Sequence, residues 1–259
     1  MKENHPSFLA LIRSMVGWFL VMVVTAVFFF PLLFTVLVLF SFDRNRQFTH
    51  PIVSLWARTI LTVLPVMQVR IEGESHLKRD SVYVLVANHQ SVADILAVLH
   101  LPHSFKFIAK KELFWIPFLG WALTVAGYIP LKRSNRQSGK QTVDQAKKYL
   151  KEGVSVLFFP EGTRSLDGEI HEFKLGAFKL ASALGIPVVP IVIDGTRELV
   201  PKGNFVIRDR VQVIVKVGMP HPPIGSSNGG VGALAQRTRN EMVASQKEIR
   251  SRKFGGVLA

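Results

Sequence analysis

The 259-residue chain contains no cysteine. Disulfides, thiolate metal sites and thiol nucleophiles are thereby excluded. It is also short of acid: 18 Asp and Glu stand against 32 Lys and Arg, a formal net charge of +14. Polyanion binders carry such an excess but are usually hydrophilic, whereas 48% of this chain is hydrophobic. A basic and apolar chain points to anionic lipid and not to nucleic acid. The sequence shows no internal repeat and no long low-complexity tract. Its length suffices for one sizeable α/β domain with an appendage.

Charge is missing altogether between Arg13 and Asp43. As a helix, these roughly 29 residues extend about 43 Å, against a hydrocarbon core of about 30 Å. The run is too long for a signal-peptide core, and no small-residue cleavage site follows it. Pro31, after Phe28-Phe29-Phe30, also admits a kinked or re-entrant path. A polar bridge from Asp43 to His50 leads to Pro51–Val69, whose single charge is Arg58. Its stretch from Ile52 to Leu64 is about 20 Å of helix, too short to cross, with Trp56 suited to the headgroup level. Residues 1–64 are therefore expected to anchor the chain in a membrane, by an embedded helix and then an interfacial one. A buried core hairpin is the alternative. Arg44 and Arg46 beyond the run place residues 65–259 on the cytoplasmic side.

From Met67 short β-like runs alternate with helical ones. This predicts an α/β fold with a mostly parallel, twisted sheet flanked by helices. Strands are expected at Val66–Ile71, Val82–Ala87, Phe105–Ala109, Gly127–Leu131, Val154–Phe159, Ile186–Ile193 and Val211–Val217, the last an outer strand because it alternates. Pro187 and Pro190 demote a central strand unless they lie at its start or against an irregular edge. Helices are expected at Gly139–Leu150, closed by Gly153, and at Phe173–Leu184, stopped by Gly185. Ala233–Arg252 reads as a polar, mobile helix. The uncharged segment Phe114–Ala126, with Trp115 and Trp121, reads equally as a core helix or as a surface dipping into lipid.

The second strand leaves into Asn88-His89-Gln90-Ser91-Val92-Ala93-Asp94, and an apolar helical run follows from Ile95. On one continuous helix, residues five apart point about 140° away from each other. His89 and Asp94 meet only if His89 lies in a loop and Asp94 in the first helical turn. Asp94 then accepts a hydrogen bond from one ring nitrogen, which fixes the tautomer and leaves the other nitrogen to take a proton. The bland alternative is a helix start, since Ser91-x-x-Asp94 before an apolar run is like a capping box. Two more strand ends carry polar groups: Lys132-Arg133 and Glu161-Gly162-Thr163-Arg164. Parallel strands would bring all three to one edge of the sheet, the edge where open α/β sheets keep ligands. Arginines and a lysine beside a poised histidine suit a phosphate monoester, which guanidinium groups grip bidentately. Gly162 lets backbone approach closely at its turn. Each cation also has a solvated-loop reading, and the Glu161–Arg164 stretch that of a turn with a surface ion pair.

Asn-His-x4-Asp at 88–94, Gly-x-Ile-x-x-x-Arg at 127–133, Phe-Pro-Glu-Gly-Thr-Arg-Ser at 159–165 and Val-Pro-Ile-Val at 189–192 occur in that order. Together they resemble the four motif blocks of the 1-acyl-sn-glycerol-3-phosphate acyltransferase family, over roughly residues 66 to 218. The resemblance implies that His89 is the general base for an acceptor hydroxyl and that Asp94 orients it. It implies acceptor binding by Arg133, Glu161, Gly162 and Arg164, with Thr163 in the same block and the arginines on the phosphate. Lys110 resembles a lysine proposed to assist with phosphate, and Pro190 falls in a block linked to acyl binding or packing. The implied partners are lysophosphatidic acid, a lipid bilayer, and acyl-CoA or acyl carrier protein as co-substrate, with no cofactor and no metal. One His and one Asp in the first block are too few ligands for a metal, and His171 lacks an evident partner.

Without cysteine, direct attack of the sn-2 hydroxyl on an acyl thioester in a ternary complex is the simpler route, with no covalent acyl-enzyme. Two rival readings are an acyltransferase for another lysolipid, such as lyso-ornithine lipid, and a non-enzymatic, membrane-tethered module for anionic lipid.

Overall fold

A computed structural model describes residues 7–132, 136–200, 205–208, 210–223 and 230–255, excepting the side chains of 136 and 253–255. Seven strands form one sheet: β1 (Met67–Glu72), β2 (Val84–Ala87), β3 (Phe105–Lys110), β4 (Ile129–Leu131), β5 (Ser155–Phe158), β6 (Val188–Asp194) and β7 (Val211–Val217). Their spatial order is β1-β7-β6-β2-β5-β3-β4. Every neighbouring pair runs parallel except β6 and β7. The central strands β2, β5 and β6 are buried throughout, as continuous apolar runs covered on both faces must be.

The helices are α1 (Phe8–Val38), α2 (Thr49–Val63), α3 (Asp94–Val98), α4 (Leu119–Val125), α5 (Arg136–Lys151), α6 (Gly176–Leu184), α7 (Thr196–Leu199) and α8 (Gly230–Gly255). Odd and even strand residues divide two cores. Leu85 and Ala87 of β2 face one cluster, which includes Leu32, Val53, Ala57, Ala97 and Leu123 from α1 to α4. Val84 and Val86 face the other, with Ala146, Phe178, Leu234, Met242 and Ile249 from α5, α6 and α8. The result is three layers, with β2 at the centre.

Several expectations need correction. α1 runs unbroken through Pro31, because a missing N–H in a long helix costs one internal bond and need not end it. α1 is the one described helix long and apolar enough to cross a membrane, and 11% of its most apolar window is buried. That excludes a core hairpin as the environment of its outer face. Its inner face is docked: Gly17 meets Ile207, Trp18 Nε1 donates to the Phe205 carbonyl at 2.7 Å and Trp56 Nε1 to Thr25 Oγ1 at 3.1 Å. β7 is not an outer strand, since β1 covers it; its alternation reflects one face in the core and one half-exposed. α6 begins at Gly176, three residues later than the apolar pattern suggested. α8 is packed, not free: Leu234, Thr238, Met242, Gln246 and Ile249 form one buried stripe. Its two polar members hid the periodicity.

Pro190 is tolerated at the centre of the sheet for a specific reason. Its carbonyl accepts from Gly218 N on the β7 side, and a strand residue's N–H and C=O point the same way. The missing N–H therefore faces the turn that leaves β7, and the ladder to β2 loses nothing.

The join between α2 and the sheet is unusually polar. Lys106 of β3 is buried and donates to the carbonyls of Arg46 and Ala126 at 2.7 Å each, and to Thr49 Oγ1 at 3.3 Å. Burial lowers this amine to about 7, opposed by Asp43. Arg46, whose charge suggested only membrane orientation, donates to the carbonyls of Thr124 and Val125 at the end of α4, where a cation is favourable. Nearby His50 is buried against Phe105, ring centroids 4.9 Å apart, with neither ring nitrogen hydrogen-bonded among the described residues. Burial first, then the Lys106 charge, holds His50 at about 4. Burial lowers His103 as well. His50 folds as a neutral ring, so the unfolded chain binds more protons between the ordinary histidine value of 6.5 and about 4. The His50 contribution to stability is therefore fully present above that window and is lost as pH falls through it, and the lowered His103 acts in the same direction. Thermal melts across this range should show that decline, and His50→Phe should flatten it. A variant with the wild-type slope would place the loss elsewhere.

Candidate functional site

His89 sits just past the C-terminal end of β2, between the ends of β5 and β6. Four contacts fix it. Its backbone N–H donates to Glu161 Oε1 at 2.9 Å, and its carbonyl accepts from Ser165 N at 2.8 Å. The ring stacks on Phe159, centroids 4.2 Å apart, and Nδ1 lies 2.7 Å from Asp94 Oδ2. Among the described residues Nε2 makes no hydrogen bond, and the side chain is 12% exposed. Residue 88 anchors the turn: Asn88 Nδ2 donates to the Ile193 carbonyl at 2.9 Å and Asn88 Oδ1 accepts from Ile193 N at 2.8 Å. This amide extends the β2–β6 ladder by one rung at the point where the main chain turns away.

Asp94 opens α3 and is fully buried. Besides His89, its Oδ2 accepts from Gln90 N at 2.7 Å and Ser91 N at 3.0 Å, and its Oδ1 accepts from Thr196 Oγ1. Such saturation is the arrangement that permits a buried carboxylate. The pairing reading holds, and the capping box does not form in full: α3 starts at Asp94 with Ala93 as its N-cap and no side-chain cap bond, while the Asp94 carboxylate still reaches back to Ser91 N and orients the imidazole. Ser91 Oγ donates to the Val200 carbonyl at 2.8 Å and has no exposed surface. Thr196 lies 102 residues beyond Asp94 and carries no local signal; its position just past β6 and Gly195 is what delivers it.

The loop after β5 supplies the second group. Glu161 is buried, with Oε1 on His89 N and Oε2 accepting from His171 N at 3.2 Å. Burial pushes its carboxyl up, against the pull of those two N–H groups. Its geometry is that of a brace between loops. Gly162 has φ +74°, and a Cβ there would sit 2.7 Å from Lys174 Nζ. Thr163 is exposed and Arg164 half-buried in the same turn, one residue before the Ser165 that binds His89. Lys174 is an exposed cation missed by the motif reading; its N–H donates to the Pro160 carbonyl at 2.9 Å, which folds it back over Gly162. His171 does have a partner, Asp167 Oδ1 at 3.0 Å, on the half-exposed surface.

Lys110 and Lys132 are on the same sheet edge but farther away. Lys110 ends β3, two strands from β2, or about 10 Å at the usual spacing. It pairs loosely with Glu112 at 3.7 Å. Lys132 follows β4, one strand beyond, and donates its N–H to Ser138 Oγ at 3.0 Å. Arg133 lies outside the described residues. No group of three or more His, Asp or Glu able to hold a metal occurs among the described residues. The letters Gly-x-Ser-x-Gly of a nucleophile elbow do occur, at 225–229, also outside the described residues.

Beside the His89 loop lies an apolar cavity of about 270 Å³ between α1, α2, α3 and α4. Val92, Ala93 and Leu96 line it on the His89 side, and Phe107 and Tyr128, stacked 3.9 Å apart, also line it. The segment Phe114–Ala126 has a buried part and an exposed apolar part. Leu123 is core, while Trp115 and Trp121 are exposed, with Phe118 and Trp121 continuing the apolar surface of α1 through Phe29.

Comparison with known proteins identifies the family. The family model "Acyltransferase" matches residues 68–194. A 1-acyl-sn-glycerol-3-phosphate acyltransferase of Chlamydomonas reinhardtii is 37% identical over 229 residues, covering 85% of this chain and 68% of the relative. The human enzyme of that name, the alpha form, is 35% identical, covering 73% and 68%. A chloroplastic relative from Brassica napus is 40% identical over 80% of this chain, which spans 59% of that relative's length. The crystal structure of the 1-acyl-sn-glycerophosphate acyltransferase of Thermotoga maritima superposes with a TM-score of 0.77 at 29% identity, covering 92% of this chain and 95% of that one. With its His89–Asp94 turn, its β5 loop and its three-layer sheet all in place, the chain belongs to the 1-acyl-sn-glycerol-3-phosphate acyltransferase family.

Proposed function

We propose that the protein transfers an acyl group from an acyl thioester to the sn-2 hydroxyl of 1-acyl-sn-glycerol-3-phosphate, yielding phosphatidic acid and a free thiol. The observation that carries this is the 2.7 Å contact between His89 Nδ1 and a buried, saturated Asp94. With Nδ1 donating to the carboxylate, Nε2 is left with a lone pair on a side chain that keeps 12% of its surface exposed.

In the proposed step, Nε2 takes the proton of the acceptor hydroxyl as its oxygen bonds to the thioester carbonyl carbon. The resulting tetrahedral adduct collapses, the C–S bond breaks, and the thiolate recovers the proton from Nε2. No covalent enzyme intermediate is required. Ser91, the serine nearest to His89 in sequence, is buried and bonded to Val200. A positioned base contributes about 10²–10⁴-fold, and holding both substrates together contributes much of the remainder.

The acceptor phosphate is assigned to Arg164, with Thr163, the Gly162 turn, Lys110 and Arg133 as further contacts. Glu161 acts indirectly, by bracing His89 and the 171 segment. Lys174, folded over Gly162, belongs with the phosphate contacts on position alone. The apolar cavity suits an acyl chain, because all but a trace of its lining is apolar and it borders Val92 and Ala93 of the loop that carries His89. The donor is acyl-CoA or acyl carrier protein. We place α1 in the bilayer, its apolar outer face in lipid with Trp115 and Trp121 at the same level, and the domain on the cytoplasmic side. A one-chain lysolipid then reaches His89 laterally, without leaving the membrane.

Thiol release by membranes given lysophosphatidic acid and either donor tests the reaction. His89→Ala should lower its rate by about 10²–10⁴-fold, and retention of a tenth of the wild-type rate would contradict the base assignment. Arg164→Ala should act mainly on the acceptor KM, raising it by about tenfold or more, as expected for loss of a charge-assisted phosphate contact. An unchanged KM would place the phosphate elsewhere.

A further inference from the structure

One carbonyl outside the motif blocks gathers an unusual number of donors. Gly168 O accepts from Gln90 Nε2 at 3.0 Å, Gln246 Nε2 at 3.0 Å and Arg250 Nη2 at 2.7 Å. A carbonyl oxygen offers two lone pairs, so three donors here mark a point where separate elements are tied together. Gln90 is the residue after His89; Gln246 and Arg250 are on α8, and both glutamines are buried. Gly168 itself has φ +86°, and a Cβ on it would meet Arg197 Cδ at 3.2 Å and Arg250 Nη2 at 3.4 Å.

Arg250 makes two more contacts with the same guanidinium. Nε donates to Asp194 Oδ1 at 3.1 Å and Nη1 to Glu169 Oε1 at 2.5 Å. Asp194 is the last residue of β6 and is buried. Two residues later comes Thr196, whose hydroxyl is on Asp94. A single side chain on the C-terminal helix thus grips both supports of the His89 turn. One route runs through Gly168 to Gln90, and the other through Asp194 and Gly195 to Thr196 and Asp94. The planar fork of arginine suits this task, and lysine's single ammonium does not reproduce it.

We propose that Arg250 is a positioning residue: from α8 it fixes the Gly168 and Asp194 turns, and through Gln90 and Thr196 it holds Asp94 and His89 in register. This rests on the acyl-transfer reading for its kinetic consequences only. The guanidinium contacts are Asp194, Glu169 and Gly168, one step removed from His89 and Asp94, so its loss is expected to act on the chemical step and leave acceptor affinity alone. A plain surface tether between α8 and the sheet would alter melting temperature and nothing else.

The test uses the full chain in detergent or lipid, with lysophosphatidic acid and an acyl thioester. Arg250→Met is expected to lower kcat by about tenfold, the scale on which small misplacements of reacting groups act, with acceptor KM within about twofold. Arg250→Lys should recover only part of the loss. Combined with Thr196→Val, the defect should fall short of the product of the two single defects, since both act on Asp94. A folded Arg250→Met with wild-type kcat, or a fully multiplicative double variant, overturns the proposal. If Arg250→Met fails to fold, Asp194→Asn weakens the same link from its other end and carries the same two criteria. A wild type inactive on every thioester would instead overturn the acyl-transfer reading. The positioning claim would then be read from carbethoxylation of His89 by diethyl pyrocarbonate, followed by mass spectrometry. A several-fold change in Arg250→Met supports it and an unchanged rate overturns it.

Discussion

A carboxylate with no solvent contact, Asp94, is the group around which this fold is arranged. Burying such a charge costs several kcal/mol unless every lone pair is answered. The donors that answer it come from three places: the imidazole of His89, the backbone of residues 90 and 91, and the hydroxyl of Thr196 beyond β6. Bringing those groups within hydrogen-bond range requires the β2 turn, the start of α3 and the β6 end to be in one fixed relation. The imidazole's orientation is therefore a consequence of satisfying the carboxylate. The turn has no other low-energy way to hide that charge.

The sheet order makes this relation possible. β2 lies between β5 and β6 and runs parallel to both, so three C-terminal ends open at one place. The chain passes from β2 outward to β3 and β4, and from β5 back across β2 to β6. That reversal leaves a crevice at the strand ends. The loops there bind each other before any ligand arrives: Glu161 and Ser165 hold the N–H and carbonyl of His89, and Asn88 holds Ile193. These braces are internal, while Thr163 and the neighbouring Lys174 are exposed at the rim of the same loop. The apolar cavity lies on the α1–α4 side of the same turn, so an acyl chain and a phosphate are assigned to different walls of one site.

Much of this was legible in the residues, and the exceptions share a cause. The strand ending at Ala87, the turn carrying His89 and the start of a helix at Asp94 follow from an apolar run, a polar gap and a second apolar run. The β5 end was equally plain, since Val154 to Phe158 is apolar except for Ser155, whose hydroxyl is bonded to Tyr83 N and His103. Thr196 was not visible, because its role depends on a contact across more than a hundred residues. Lys174 was hidden by reading Phe173–Leu184 as one helix, when the helix starts at Gly176 and the Lys174 N–H donates to the Pro160 carbonyl instead. α8 was mistaken for a free helix because Thr238 and Gln246 occupy its buried stripe. Arg46 reads as a membrane-flanking charge, and the bonds from its side chain to the end of α4 come in addition. In each case a polar residue had a partner distant in sequence, which periodicity does not register.

The central claim is that Asp94 sets the tautomer of His89. Selective ¹⁵N labelling of histidine reads this directly, with the His89 resonances assigned by their disappearance in His89→Gln. In the neutral ring the account predicts a protonated Nδ1 and an unprotonated Nε2, and an exchange of that pattern or its collapse into averaged signals in Asp94→Asn. A neutral His89 carrying its proton on Nε2 in the wild-type protein would contradict it.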